Sequence, residues 1–399
     1  MNVVHPIARA WITTGGTGAQ NYDEFAGDAE ITAIIRANPS SALAIEMPHR
    51  APGSLGKPFA DALPDAVARL AEAKQDGSYT PAERVVALYR ITAPGEEPAY
   101  GLFAMVDTDQ VSTSADEPGL VIRNEDVFIE KVRERVALAA ATKHLLSAVL
   151  LLQTARGDEL QAALAAGCDG AGAPVATDLD QAGRTHAVWL VGPGPLQDEL
   201  CALAGGGELV VADGNHRSLA AQLGGVPRFL GVVTAPASVT IQPYNRLISE
   251  LTLPVGELVE RLRAAGAVVE ALPGVPAVPT SCGTIQVYGG SGALWSVRLP
   301  ADPQLSTVDS LDHALVERVL LRDVLGLDPG DKRITYAGGD YPASWLAGEV
   351  DAGRAELAVL IPPVTVADFV AVNLARQRMP RKSTWFTPKA RAGMVLCEI

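Results

Sequence analysis

Apolar residues along the chain follow two repeats, which predict a mixture of strands and helices. Short runs rich in β-branched residues, such as residues 186–191 and 229–233, are typical of buried strands. Apolar residues three and four positions apart, as at Ile129, Val132 and Val136, are typical of a helix with one buried face. The pattern therefore predicts an α+β protein. Further strands are predicted at residues 99–106, 147–152, 239–241, 284–288, 294–298 and 357–361, and further helices at residues 197–204, 258–265 and 311–324.

The chain divides into three regions on the same grounds. Residues 1–115 are predicted to form an N-terminal α/β region, residues 116–250 a core, and residues 251–399 a C-terminal α+β region. Within the middle region, residues 157–183 are rich in Ala, Gly and Asp and show no strong repeat. We therefore expect a loop there.

Residues 209–221 carry the clearest chemical signal. A β-branched run ends in Asp213-Gly214, and an Ala- and Leu-rich segment follows, which predicts a strand, a tight turn and a helix. The turn carries one carboxylate, the imidazole of His216 and the guanidinium of Arg217. Unbonded N–H groups at a helix start favour anions. This set of groups suits a phosphate and its metal ion.

Several short segments, taken together, resemble known families. The turn resembles the Asp-Gly-x-His-Arg box of the ParB-like and sulfiredoxin-like nucleotide-binding fold, which free serine kinases share. Residues 379–389, followed by Gly393-Met394-Val395, are similar to the C-terminal hallmark of domain-of-unknown-function family DUF1015. Three further segments occur in the order of that family: Asn21-Tyr22-Asp23 resembles its Pro-Tyr-Asp element, Arg123-Asn124-Glu125 its Arg-His-Glu element, and Pro243-Tyr244-Asn245-Arg246 its Pro-x-x-Arg segment.

The chain departs from these patterns at three asparagines. Asn21 replaces a proline, Asn124 replaces a histidine, and Asn215 stands where many members carry a second histidine. A proline at the first position would fix the backbone of its turn, and asparagine does not. We therefore expect a divergent member with an altered substrate preference.

The resemblance implies a ParB/sulfiredoxin-like nucleotide-binding core with large N-terminal and C-terminal elaborations. It also implies a phosphotransferase that moves phosphate from ATP or ADP to the hydroxyl of a small free amino acid such as serine. Asp213 would hold Mg²⁺, Glu125 would be the general base, and His216 would act on the phosphate. Because Glu125 and Asp213 are far apart in sequence, the residues between them are expected to form an inserted lobe, with residues 251–399 closing the cleft.

The same resemblance implies contacts for the other candidates. The residues expected to contact the nucleotide or its phosphates are Gly214, Asn215, His216, Arg217, Arg246, Lys382 and Ser383, with Lys389 as a further cation. The residues expected to contact the amino-acid substrate are Tyr22, Asp23 and Arg123.

Each main candidate also has a purely structural interpretation. Asp213 can cap the helix, and Arg217 can be a solvated surface charge. If Asn124 is the N-cap of the following helix, Glu125 lies in the first turn, where a carboxylate is favoured without any catalytic role. Lys382 and its neighbours can form a charged strand pair that closes the sheet.

Two other functions stay open. A nucleotide-binding clamp or switch module would need the box but no general base. A sulfiredoxin-like activation of an oxidised thiol would need a reactive cysteine beside the box, and the nearest cysteine in sequence is Cys201. The thiol reaction therefore ranks last.

Charge and hydropathy narrow the expected partners. The 399 residues include 46 acidic and 32 basic side chains, a formal net charge of −14, which repels nucleic acid. No apolar run is long enough to span a bilayer, and the N-terminus does not resemble an export signal. We expect a cytoplasmic enzyme whose partners are a nucleotide and a small amino acid, with no nucleic acid and no membrane. The sequence leaves open whether the chain is a monomer or a homodimer.

Overall fold

The computed structural model describes residues 2–25, 27–112, 114, 117, 119–125, 127–300 and 302–399. The chain folds into two units. Unit 1 comprises Met1–Thr240 and Pro388–Ile399, and unit 2 comprises Ile241–Thr387. Unit 1 is therefore discontinuous in sequence.

Unit 1 is built around one large mixed sheet. Its strands, numbered in chain order, are β1 (Val4–His5), β2 (Ile7–Thr13), β3 (Tyr79–Thr92), β4 (Ala99–Asp107), β5 (Val111–Ser112), β6 (Val121–Ile122), β7 (His144–Leu145), β8 (Val149–Gln153), β9 (Ala176–Leu179), β10 (Thr185–Val191), β11 (Leu209–Asp213), β12 (Arg228–Thr234) and, after unit 2, β21 (Val395–Glu398). Within the described ranges they follow the order β5-β6-β11-β8-β12-β4-β3-β2-β21-β7, with β1 beside β4 and β10 between β3 and β9. The long strand β3 pairs with β2 along its first half and with β4 and β10 along its second half, so the sheet curls.

Helices pack on this sheet and complete its core. They are α1 (Asp28–Ala37), α2 (Leu43–Glu46), α3 (Leu63–Gln75), α4 (Ile129–Thr142), α5 (Gly157–Gly170), α6 (Pro195–Ala204) and α7 (Asn215–Leu223), with 3₁₀ turns at Pro48–Arg50, Pro52–Ser54, Ala60–Ala62, Thr108–Gln110 and Pro236–Ser238. The main core joins wholly buried strand residues such as Leu102, Leu151 and Leu209 to the inner faces of α5 and α6. Burial of this apolar surface is the main stabilising force of the unit.

The loop expected at residues 157–183 is wrong, because the segment contains α5 and β9. Leu160, Leu164 and Cys168 are buried and lie one helical turn apart on the inner face of α5. Alanines between these positions blur the contrast between the apolar and polar faces, so the repeat is weak in the sequence.

Unit 2 has its own sheet and core. Its strands are β13 (Thr240–Gln242), β14 (Asn245–Ile248), β15 (Val268–Ala271), β16 (Thr284–Tyr288), β17 (Leu294–Arg298), β18 (Ile334–Ala337), β19 (Leu357–Leu360) and β20 (Trp385–Thr387), and its helices are α8 (Val255–Ala264), α9 (Asp312–Leu315), a π-helix (Val316–Leu325), α10 (Ala343–Asp351) and α11 (Val366–Leu374). In the described part of the chain the sheet order is β15-β17-β16-β19-β14-β18, and β13 pairs with β20. The predicted hairpin forms as β16 and β17, with Thr284 opposite Arg298.

These units differ from the three regions expected from the sequence. Strands from residues 1–115 pair in one sheet with β8, β10, β12 and β21, so they do not form a region of their own. The residues between Glu125 and Asp213 are not a separate lobe either. They supply β8, which pairs antiparallel with β11 and parallel with β12 at the centre of the sheet. Among the described residues, no helix combines the length and hydropathy needed to cross a membrane.

Candidate functional site

Strand β11 and helix α7 meet in the tight turn that the sequence predicts. β11 ends at Asp213 and α7 begins at Asn215. Gly214 has a φ of +97°, a left-handed conformation that glycine adopts without strain. A register shift between Val211 and Asp213 marks a β-bulge against β8, and such bulges re-aim neighbouring side chains. The backbone itself therefore sets the position of the Asp213 carboxylate.

Arg217 lies one helical turn after Asp213 and points into the protein. Its Nη2 donates to Asp213 Oδ2 at 2.5 Å, and its Nη1 donates to Asn21 Oδ1 at 3.1 Å and to the carbonyl of Ala148. Only 8% of the residue is exposed. Burial lowers the pKa of the guanidinium, but Asp213 and Asp23 raise that pKa overall, so the side chain stays charged.

This position changes the interpretation of the turn. A solvated surface charge at Arg217 is wrong, because the side chain is buried. Both of its Nη atoms donate to protein acceptors, so the guanidinium fork is occupied where a phosphate contact was expected. Asp213 is not a helix cap, since the N-cap is Gly214 and no side chain caps α7. Arg217 holds the Asp213 carboxylate in place.

Lys389 supplies a second cation beside Asp213. Its Nζ lies 3.3 Å from Asp213 Oδ1 and 3.9 Å from Glu24 Oε1. Burial raises the pKa of the Glu24 carboxyl, while Lys389 and the Asn21 amide act against that rise. We call the following residues the Asp213 cluster: Asn21, Asp23, Glu24, Asp213, Arg217 and Lys389.

Asn21, which replaces a proline of the family, is a hydrogen-bonding member of this cluster. Its backbone N–H donates to Glu24 Oε1 at 3.1 Å, and its side-chain amide donates to the same oxygen at 2.6 Å. The Oδ1 atom of its side chain accepts a hydrogen bond from Arg217 Nη1. Proline could make none of these bonds, because it has neither an N–H group nor a polar side chain. The amide therefore ties the N-terminal loop to α7.

Tyr22 and Asp23, two expected substrate contacts, lie in this loop. Asp23 Oδ1 is 4.0 Å from Nη2 of Arg217. Tyr22 is buried, and the Arg135 guanidinium lies 4.1 Å from its ring centroid. Burial raises the pKa of the Tyr22 phenol, so its proton is firmly held. Arg123, the third expected substrate contact, is half-buried, and its backbone N–H donates to a β5 carbonyl at 3.0 Å.

The segment before α4 is attached to the first turn of α7 at two points. The backbone N–H of Asn124 donates to Asn215 Oδ1 at 3.4 Å, and that of Phe128 donates to His216 Nε2 at 3.1 Å. The rings of Phe128 and His216 stack with their centroids 6.2 Å apart. Since Nε2 accepts, the proton of this neutral imidazole is on Nδ1. Glu125 lies between the two attachments, so the structure brings it beside the β11–α7 turn.

The helix-end interpretation of Glu125 is wrong. Helix α4 begins at Ile129, its N-cap is Phe128, and the acidic residue of its first turn is Glu130. Asn124 is therefore not the N-cap of α4. Its backbone N–H donates to Asn215 in α7. A helix macrodipole acts on groups within the first turn, which Glu125 precedes.

Arg246, Lys382 and Ser383 belong to unit 2, where they lie near one another. Arg246 is fully buried, its Nη1 donates to the Tyr244 carbonyl at 2.9 Å, and its Nη2 donates to the Arg381 carbonyl at 3.3 Å. Lys382 Nζ lies 5.6 Å from the Tyr244 ring centroid, and Ser383 is wholly buried. Lys382 and Ser383 precede β20, so they do not form the charged strand pair expected as an alternative.

The residues around Asp213 do not fit a magnesium ion in this arrangement. Magnesium prefers several carboxylate or phosphate oxygens in octahedral geometry. Both Asp213 oxygens are held by cations, Oδ2 by Arg217 and Oδ1 by Lys389. In the described ranges no group of three His, Cys, Asp or Glu side chains could hold a metal.

Three functional candidates were not predicted from the sequence: Glu24, Glu46 and Arg135. Glu46 and Arg135 are 2% and 7% exposed, and the Arg135 Nη1 donates to the Glu46 carbonyl at 3.0 Å. A signal does exist for Arg135, since it lies three residues from both Val132 and Leu138 on the buried face of α4. Charged residues are rarely buried unless paired, so a charge on an apolar helix face is informative.

Most of the chain is similar to one protein family. A family model described as "Protein of unknown function (DUF1015)" matches residues 17–314. No curated protein sequence matches the chain.

Similar solved structures are distant. A free serine kinase in complex with AMP has a TM-score of 0.39 and 11% identity, covering 73% of this chain and 92% of that one. A conserved hypothetical protein from Pyrococcus furiosus has a TM-score of 0.38 and 11% identity, covering 73% of this chain and 95% of that one. SbnI with C-terminal truncation from Staphylococcus aureus has a TM-score of 0.39 and 11% identity, covering 73% of this chain and 85% of that one. At these values the likeness assigns neither an activity nor a ligand to this chain.

Proposed function

We propose that this chain, which belongs to the DUF1015 family, is a phosphotransferase that moves a phosphoryl group from ATP or ADP to the hydroxyl of a small free amino acid, serine or one like it. One observation carries the proposal. Four parts of the chain that are far apart in sequence, residues 21–24, the pair Asn124 and Phe128, residues 213–217 and Lys389, converge at the carboxyl end of β11. The ParB/sulfiredoxin-like box and two of the DUF1015-like motifs, at residues 21–23 and 123–125, lie in or next to these segments, so a core of that type is part of the proposal.

The nucleotide phosphates would bind at the start of α7. Ser218 donates its backbone N–H to the Gly214 carbonyl at the first turn of this helix, and the N–H groups of a first turn point out of the N-terminal end. These N–H groups and the positive end of the helix favour an anion. Lys389 would be the cation that contacts the phosphate, since the Arg217 guanidinium is bound inside the protein. A phosphate would compete with Asp213 for Lys389.

Glu125 would take the proton of the acceptor hydroxyl. In the transfer a bond forms between the hydroxyl oxygen and the terminal phosphorus, and the bond from that phosphorus to the bridging oxygen breaks. The hydroxyl proton passes to the Glu125 carboxylate, and the nucleotide leaves shortened by one phosphate. A positioned base contributes about two to four orders of magnitude in rate. The attachments of Asn124 and Phe128 to α7, on either side of Glu125 in sequence, support this role.

The test is a product assay on two matched variants. Purified protein is incubated with ATP or ADP as the magnesium salt and with serine, and phosphoserine is followed by mass spectrometry. We expect Glu125→Gln to lower turnover at least about 100-fold with nucleotide affinity nearly unchanged, because only the base is lost. Glu130→Gln, in the exposed first turn of α4, is the control and should keep full turnover. Wild-type protein that forms no phosphorylated amino acid would contradict the proposal.

A nucleotide-binding clamp or switch is the second candidate. It is favoured by the pairing of both Asp213 oxygens with Arg217 and Lys389, an arrangement that a bound nucleotide could change without any transfer. A switch would bind or consume nucleotide at a rate that does not depend on serine, so the same assay with and without serine separates the two functions.

A further inference from the structure

A cavity of about 50 Å³ lies in unit 1 on the inner side of Arg217. Its walls come from α2, α4, the residues between α4 and β8, α7 and β12. A single buried water needs roughly 10–15 Å³ on this scale, so the cavity holds several waters or one small organic molecule. No residue of the predicted site other than Arg217 lines it.

Three buried charged side chains line this cavity: Glu46, Arg135 and Arg217. Within the described residues, Oε2 of Glu46 and the Nε atoms of both arginines have no hydrogen-bond partner. Leaving a buried polar atom unbonded costs about 1–3 kcal/mol, and more for a charged group. Such atoms gathered around one cavity indicate a site for a polar ligand.

The charges define the chemistry of that ligand. Glu46 offers an acceptor for a cation, and Arg135 offers a donor for an anion. Apart from the polar side chains of His144 and Ser147, the rest of the wall is apolar and built partly from small side chains, including Ala139, Ala220 and Ala221. A small molecule that carries both charges and a short side chain would satisfy these groups, whereas an apolar ligand would leave them unbonded.

We propose that this cavity binds the acceptor amino acid, with its ammonium on Glu46, its carboxylate on Arg135 and its hydroxyl directed past Arg217 toward the β11–α7 turn and Glu125. The inference rests on the proposed function and deepens it, because it moves the substrate contacts from Asp23 and Arg123 to the cavity. Tyr22 keeps a supporting role, since its ring lies against the Arg135 guanidinium. Arg217 lines the cavity and also donates to Asp213, so one side chain joins the acceptor pocket to the β11–α7 turn.

The first test measures serine binding by calorimetry, with and without ADP. Glu46→Gln keeps the side-chain volume but removes the charge. Ala139→Leu fills the cavity from α4, and Ala140→Leu, on the exposed side of the same helix, is its matched control. We expect wild type and Ala140→Leu to bind serine alike, and the two other variants to lose at least about tenfold in affinity. Nucleotide affinity, measured with a fluorescent ADP analogue, should stay within about twofold in all four proteins.

The outcomes separate this inference from the proposed function. Serine that binds Glu46→Gln and Ala139→Leu as tightly as wild type, or that fails to bind wild type with or without ADP, overturns the cavity assignment. If phosphoserine still forms in those cases, the proposed function stands without the cavity. If serine binds in the cavity and no transfer occurs, the cavity assignment stands and the proposed function fails. Melting curves of the variants show whether a loss of affinity comes from unfolding. Because the two substitutions lie on different helices, one local disruption does not explain a loss of affinity in both.

Discussion

Arg217 is a buried cation whose charge is balanced within the protein. Asp213 pairs with it directly, Asp23 lies 4.0 Å away, and Asn21 and a main-chain carbonyl accept its remaining Nη1 hydrogens. A guanidinium can serve several acceptors at once because its donors form a planar fork. The side chain therefore links the N-terminal loop, α7 and the segment before β8.

Replacing Arg217 with lysine tests this link. Lysine keeps the charge but cannot serve Asp213, Asn21 and the Ala148 carbonyl together, and a buried ammonium is costly to desolvate. We expect the free energy of unfolding to fall by about 2–4 kcal/mol, measured by chemical denaturation. Nucleotide affinity should fall at least about tenfold, because the start of α7, where the phosphates would bind, loses the bonds that fix it to the end of β11 and to the N-terminal loop.

Arg228→Lys is the matched control for that substitution. Arg228 pairs with Asp107 at 2.9 Å, but 45% of its side chain is exposed. An exposed pair contributes at most about 1 kcal/mol, so this variant should be nearly as stable as wild type. If both arginine variants lose the same small amount of stability, the hydrogen bonds of Arg217 inside the protein do not stabilise the fold more than an exposed ion pair does.

At the scale of secondary-structure elements, the β11–α7 turn tolerates little substitution at Gly214. Gly214 combines a φ of +97° with close surroundings: a Cβ added there would lie 3.1 Å from Arg217 Nε and 3.2 Å from Val149 Cα. Any larger residue would be strained and would also displace Arg217. The turn therefore requires glycine for two independent reasons.

Gly214→Ala and Gly225→Ala separate those two reasons. Gly225 follows the other end of α7 with a φ of +67°, but a Cβ added there meets no atom within 4 Å. We expect Gly225→Ala to cost about 1 kcal/mol, from backbone strain alone. Gly214→Ala should cost about 2–4 kcal/mol and weaken nucleotide binding, because crowding adds to strain. Thermal melts that show equal losses would mean that the contact with Arg217 is not tight.

The whole molecule consists of two units with separate cores. Within the described residues, two apolar clusters of unit 2 are built from residues between Leu247 and Ile361, such as Leu258, Leu320 and Val359. Unit 1 is interrupted by unit 2 and closed by the C-terminal strand β21, which pairs with β2 and β7. A unit with its own core can in principle fold alone.

Residues 241–387 expressed by themselves should fold. We expect a cooperative thermal transition by circular dichroism and dispersed amide resonances, because the fragment contains its complete sheet and both clusters. A fragment of equal length, residues 181–327, is the control. It cuts both sheets and should show no cooperative transition. A non-cooperative melt of residues 241–387 would show that unit 2 depends on unit 1.

The sequence by itself determined the elements that depend on short-range patterns. The strand, turn and helix around Asp213, the hairpin of β16 and β17, and α6 all lie where the repeats predict them. Membership of the DUF1015 family was also predictable, because it is carried by short motifs in a fixed order. Backbone preferences, turn residues and the spacing of apolar positions act within about ten residues, so the linear pattern contains them.

Only the tertiary structure decided where the charged groups point and which segments meet. Arg217 is buried although its sequence context equally suits an exposed helix. Glu125 lies before α4, between two residues whose backbone N–H groups donate to α7. Lys389 reaches Asp213 because the C-terminal residues return to unit 1. The burial of Glu46 and Arg135 likewise depends on how α2 and α4 pack. Burial and charge pairing are set by the sum of many long-range contacts, and no local repeat in the sequence records that sum.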